Sequence, residues 1–266
     1  MNARRVHAVL AAGVQNPALI AAWRRDPELL RAHDVDPAEV DLDALWKFAG
    51  LAVKVRHNGI REDLPLTFRL LHVTELAIDV FASYAARCAT EGRRLSSGAE
   101  ARARDFVEFL EQWLDLERPL HALLWDMVRH ERALAQLARA APAHLPRPSP
   151  RARAAGSAVP RLRDTLIVHA MRSDPRAVAT LLRERAPCLD REPLEPCCVC
   201  YWRDGAEVVI VRLDASVHYL LSLVDGERTA AEIHRALFGG ERPTPSFLQI
   251  LRELASLGLL TLGRRP

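Results

Sequence analysis

The sequence predicts an α+β fold in two parts, a mainly helical N-terminal domain followed by a smaller C-terminal domain built around a small antiparallel sheet. Three observations predict it. Apolar residues recur at intervals of three and four from about residue 17 to 140, a run with five prolines and no acid follows, and beyond it short β-branched runs alternate with short helical ones.

The helical half carries its stripe clearly at Phe106, Phe109, Leu110, Trp113 and Leu114, and again at Leu123, Leu124, Met127 and Val128. Helix starts are written into "RDPELL" and "VDPAEV", where Asp26 and Asp36 each precede a proline. An Asp side chain accepts the free amides of a first turn, and proline suits the first helical position. Together with Asp34, Asp41 and Asp43 these acids superficially suggest a calcium loop, but the glycine and the twelve-residue ligand spacing are missing.

The run "APAHLPRPSPRARAAGSAVPRL" lacks periodicity, and proline removes backbone donors. We expect an extended linker over residues 142–162, a helical domain over 1–141 and a second domain over 163–266. In that second domain "DTLIVHA" reads as a strand and "SDPRAVATLLRERA" as a helix capped by Asp174. "CCVCYW", "RDG" and "AEVVIVRL" then form a hairpin. Asp214 caps the next helix, and Thr229 with Glu232 makes a capping box for another. Thr244 and Pro245 start a last helix, which stops at Gly258 before the strand "LLTL". Strands, three short helices and a terminal strand make a winged helix-turn-helix layout.

Composition narrows the function classes. The net charge is +3, and Lys47 and Lys54 are the only lysines among 37 cationic residues, so the basic balance is an arginine bias with no dense block for nucleic acid. The apolar run near the N-terminus is short and interrupted by His7, unlike a signal peptide, and no segment approaches the length of a membrane helix. Five cysteines, an odd number, argue against a secreted disulfide framework. The expectation is a cytoplasmic protein.

The cysteines raise the first question of chemistry. Cys188, Cys197, Cys198 and Cys200 form one group, with Cys88 far away, whereas a zinc site wants two spaced pairs. If "CCVCYW" is a strand, Cys198 and Cys200 share one face and Cys197 the other, so the three sulfurs do not converge. They then serve as small apolar core residues. A second group, Arg56, His57, Asn58, Arg61, Glu62, Asp63, Phe68 and Arg69, mixes arginine with an aromatic around Pro65, a composition enriched at interfaces. A third surrounds His130, with Arg129 and Glu131 beside it. None of the ten histidines has a second ligand at metal spacing, and there is no phosphate loop or nucleophile elbow. The last helix offers Gln249 and Arg252 but is otherwise apolar or acidic, poor for DNA. The strand Glu207, Val208, Val209, Ile210, Val211, Arg212, if it lies at a sheet edge, suits an extended peptide better. A DNA-binding regulator remains the second reading.

The run "VRLDASVHYLLSLVDGERTAAEIHRAL" resembles the PqqD-like recognition element, which binds leader peptides of ribosomally made, post-translationally modified peptides. The N-terminal "NPALIAAWRRDPELL", "LDALWKFAGLAVKVRHNGIREDLPLTFRLL" and "LLWDMVRHERAL" are similar to the helical domain of proteins that accompany multinuclear non-heme iron-dependent oxidative enzymes. The resemblance covers nearly the whole chain. It implies a non-catalytic subunit that binds a precursor peptide and docks on a TIM-barrel iron oxidase acting on cysteine. The iron would sit in that partner, and this chain would hold no cofactor. The resemblance also implies that residues 207–212 pair with the leader by their backbone, with Leu248, Gln249 and Arg252 lining the groove. Arg56 to Arg69, with Arg129, His130 and Glu131, would face the oxidase.

Overall fold

The computed structural model describes residues 3–56, 58–92, 98–139, 155–184 and 195–263. The chain divides into two compact units, Met1–Glu131 with Leu182–Asp190, and Arg132–Leu181 with Arg191–Pro266. The fold is α+β, mostly helical with small antiparallel sheets.

The first unit holds α1 (Ala3–Gln15), α2 (Pro17–Arg25), α3 (Leu42–Arg56), α4 (Ile60–Asp63), α5 (Pro65–Val73), α6 (Ala77–Thr90), α7 (Ala99–Trp113) and the start of α8 (Pro119–Arg139). The aspartates at 26 and 36 do cap, accepting the amides of Glu28 and Ala38 at 3.2 and 3.0 Å, but the helices they start are short 3-10 segments, Pro27–His33 and Pro37–Glu39. Ile20, Trp23, Leu30, Trp46 and Ala82 form one buried cluster. Where α3 crosses α6, a Cβ on Gly50 would stand 2.3 Å from the Ile78 carbonyl oxygen, so this close approach needs glycine. A run of ring contacts, with Phe81 and Phe106 stacked at 4.9 Å between centroids, fills the space among α5, α6 and α7.

In the second unit β1 (Val159–Leu162) pairs antiparallel with β5 (Leu260–Gly263). A three-stranded antiparallel sheet runs in the order β2 (Ile167–Met171), β3 (Cys197–Asp204), β4 (Glu207–Asp214). The start of α9 (Pro175–Glu184) and helices α10 (Ala215–Ser222), α11 (Ala230–Phe238) and α12 (Pro245–Ser256) complete it. The expected caps form: Asp174 accepts the Arg176 amide, Asp214 the Ser216 amide, Thr244 the Phe247 amide, and Thr229 with Glu232 closes a reciprocal capping box.

One departure stands out from the sequence expectation. Residues 159–162, assigned to the linker, are strand β1, which pairs with the terminal strand. Pro160 is tolerated because, among the described residues, β1 has a neighbour on one side only, so its missing N–H need not face a ladder. Residues 140–154 of the expected linker lie outside the described residues. No single described helix is long and apolar enough to cross a membrane.

Candidate functional site

The hairpin β3–β4 is set by its turn. Asp204 pairs with Glu207 across Gly205 and Ala206, and Gly205 has φ +61°, the value a two-residue hairpin takes at its first central position when glycine stands there. From that closing pair outward, antiparallel pairs alternate between those that exchange hydrogen bonds and those that do not. Val209 and Val211 therefore bond to β3, whereas the backbone N–H and C=O groups of Val208, Ile210 and Arg212 point the other way. Among the described residues β4 pairs only with β3, so those groups lie on an open sheet edge, as required for strand addition.

The strand behind that edge is fixed firmly. From Cys197 to Trp202 every residue of β3 is buried, and the two faces separate as alternation demands. Cys198, Cys200 and Trp202 join Leu221, Ile233, Phe247 and Leu251 in one cluster, with Val209, Val211, Leu213 and Leu248 partly buried against it. Cys197, Val199 and Tyr201 face the opposite way, toward Ala133 and Leu137 of α8, with Val208 and Ile210 partly buried against them. Thus β4 is half-exposed on both faces from Val208 to Val211, while Glu207 and Arg212, which flank that window, are exposed and charged. Arg212 is held by Glu195 at 3.0 Å.

Cys88, Cys197, Cys198 and Cys200 are buried, with no disulfide among them, and Cys188 lies outside the described residues. The Sγ atoms of Cys198 and Cys200 are 4.0 Å apart. Their mutual hydrogen bond, then burial, pushes the Cys200 thiol up, so it stays protonated at neutral pH. Among the described residues no three His, Cys, Asp or Glu side chains gather as a metal site requires.

On α12 the polar side chains satisfy one another. Arg252 donates to Gln249 at 3.2 Å, and Gln249 donates to Glu253 at 3.0 Å, all at the surface. Leu248 turns inward to the core that also backs β4, so of the three residues assigned to a groove wall only it joins that core.

The residues assigned to partner docking separate into surface and core. Asn58, Arg61, Glu62 and Arg69 are exposed and Asp63 is half-buried; Asn58 and Gly59 form the expected turn. Pro65 begins α5. Arg56 ends α3, and its side chain, with His57, lies outside the described residues. Phe68 is a correction. It is 7% exposed and packs against Phe81 and Phe106, because α5 turns that position into the aromatic core. His130 is likewise buried, at 4%, whereas Arg129 stays partly exposed and pairs with the buried Asp126 one turn back.

Glu131 is the residue whose role the sequence reading missed. Its carboxylate, 4% exposed, accepts the amides of Leu66 and Thr67 at 2.6 and 2.8 Å and the Thr67 hydroxyl at 2.6 Å. It thereby caps α5, whose own preceding residue, Leu64, has no side chain able to do so. Burial pushes its pKa above the ordinary glutamate value against the pull of those three hydrogen bonds. The signal was periodicity: position 131 lies four after Met127 and three after Val128, on the buried stripe of α8.

No family model matches this chain, and no curated protein matches its sequence.

Proposed function

We propose that this chain is a non-catalytic peptide-binding subunit of the PqqD-like, winged-helix kind, which captures the leader of a ribosomally made precursor peptide by strand addition to β4. In this reading it presents the peptide to an iron-dependent, TIM-barrel oxidase that modifies cysteine, and the iron belongs to that partner. The observation that carries the reading is the edge itself: outward-facing backbone groups at Val208, Ile210 and Arg212, apolar half-exposed side chains at Val208 to Val211 on both faces, and a strand behind them that is buried from Cys197 to Trp202. A rigid backing strand keeps the edge preorganised, which lowers the ordering cost of adding a strand. The α12 surface supports peptide over duplex DNA, since Arg252 is shared with Gln249 beside an acid and would bring little to a phosphate.

Co-expression tests the proposal. The tagged chain should retain a barrel oxidase and, separately, a labelled precursor peptide encoded beside it. Ile210→Pro should abolish peptide retention and leave oxidase retention intact. A chain that retains neither partner refutes the reading, and steep, salt-dependent binding to duplex DNA would replace it.

A further inference from the structure

Helix α3 leaves an apolar stripe uncovered. Phe48, Leu51 and Val55 are 57%, 48% and 68% exposed, and Ala44 continues their line toward the helix start. At 3.6 residues per turn these four positions fall within about 60° of one another around the axis. Beside Phe48 the stripe opens into a cleft of about 770 Å³ between α3 and α1, lined by Val6, Leu10, Val14 and Leu45. Single exposed apolar residues need no explanation, but a contiguous stripe with its own cleft does.

The charges around the stripe say what fits it. Its flank carries Asp43 in the first turn, with Glu39 and Asp41 just before the helix, then Lys47 near the middle and Lys54 near the end. Such a polarised face complements its own copy run antiparallel. Place Phe48 on the twofold axis against Phe48 of a second copy, so that facing positions sum to about 96. Leu51 then lies over Ala44 of the copy, large against small, and Lys54 lies opposite Asp43 of the copy. Asp43 and Lys54 share one flank, each about 90–110° from the stripe centre, where antiparallel helices bring like flanks together. The Asp43 carboxylate is 74% exposed with Arg24 at 2.9 Å, leaving it accessible to the incoming lysine. Lys47 lies on the same flank beside the twofold, within two positions of Lys47 of the copy, so one like-charge pair at the axis opposes the two Asp43–Lys54 pairs and keeps the association weak.

We infer that the α3 face is an isologous self-association surface, through which two copies of this chain pair antiparallel about Phe48. One helix per copy buries an area at the low end for specific interfaces, so the dimer is weak and concentration-dependent, with a dissociation constant in the micromolar range. The inference is independent of the peptide-binding reading, because it uses neither β4 nor any ligand.

Sedimentation velocity on the full chain, from about 5 to 500 μM, reads the outcome. The weight-average mass should climb from 29.7 kDa toward twice that value. Phe48→Asp and Val55→Asp, at positions too exposed to threaten folding, should each hold the chain at monomer mass with an unchanged circular dichroism spectrum. Lys54→Asp should weaken pairing by about tenfold, and adding Asp43→Lys should restore it to within about threefold, since the swap regenerates opposite charges across the twofold. A chain that stays monomeric at every concentration overturns the inference and leaves the stripe to an unlike partner. A dimer that survives Phe48→Asp, or a charge swap that restores nothing, overturns it equally.

Discussion

Replacing Glu131 by Ala tests whether one buried carboxylate holds α5 in place. The substitution deletes three acceptor contacts, at 2.6, 2.8 and 2.6 Å, and leaves the Thr67 amide and hydroxyl without partners in a side chain that has no exposure at all. Each buried donor left unmet costs about 1–3 kcal/mol, and the half-buried Leu66 amide costs less because water reaches it. Against this, removing the carboxylate relieves the expense of burying it. The balance is a loss of about 2–4 kcal/mol, large for a single substitution in a domain of this size. Urea denaturation at neutral pH, followed by tryptophan fluorescence, measures it, because Trp23, Trp46 and Trp113 all lie in the same unit. Glu131→Gln keeps one acceptor oxygen and should lose roughly half as much. A loss below about 0.5 kcal/mol for the Ala variant, the range of ordinary surface substitutions, would refute the capping argument.

Other outcomes follow from the same geometry. Because the folded pKa of Glu131 is raised, its contribution is fully present below the ordinary glutamate pKa and is lost as pH rises through the folded value; the stability gap between wild type and Glu131→Gln should therefore narrow as pH rises above the ordinary glutamate pKa in a denaturation series. At the edge strand, Ile210→Pro removes an outward donor and should eliminate leader binding by fluorescence anisotropy while the chain stays folded, whereas Val209→Pro breaks the β3–β4 ladder and should cost about 3 kcal/mol or more of stability. Equal stability of the two variants would show that the register has been misassigned. Cys198→Ala with Cys200→Ala should lower stability by about 1–3 kcal/mol through lost packing and leave the metal content of the purified protein unchanged by mass spectrometry; stoichiometric metal lost on substitution would show that the sulfurs are ligands.

Local chemistry was legible where it acts over a few residues. The caps at Asp174, Asp214, Thr229 and Thr244 formed as written, and alternation along "CCVCYW" correctly put Cys198 and Cys200 on one face and Cys197 on the other. What escaped depends on long-range partners. Strand β1 contains a proline and has little strand character by composition; only its ladder with β5, about a hundred residues later, makes it a strand. The run Arg129 to Arg132 reads as a charged surface, yet a helix turns each successive residue by about 100°, so two of the four face inward. Glu131 meets its partners 64 and 65 residues away, and no local pattern announces that a carboxylate on an apolar stripe is there to cap another helix. Phe68 failed for the converse reason: Arg69 beside it and the charged run Arg61 to Asp63 before it suggested a surface, but its place in α5 belongs to the aromatic core.

The proportions of β4 constrain what a bound peptide must supply. Charge at Glu207 and Arg212 brackets an uncharged window of four residues, Val208 to Val211, about 13 Å of strand. Within that window only Val208 and Ile210 turn their N–H and C=O groups outward, which allows about four backbone hydrogen bonds. At about 0.5–1.5 kcal/mol net each, these give roughly 2–6 kcal/mol, too little to offset the entropy of ordering a free peptide and still reach micromolar affinity. In the proposed reading, the remainder must come from side chains. Successive residues of an added strand would fall alternately beside Val209 and Val211 on one face and Val208 and Ile210 on the other, both apolar and half-exposed. A leader with apolar residues at two or three consecutive positions therefore suits this edge better than one that alternates apolar with charged. A scan of charged substitutions along the bound segment of the leader should accordingly reduce affinity at adjacent positions, and a strict every-second-residue pattern would show that only one face of β4 is in use.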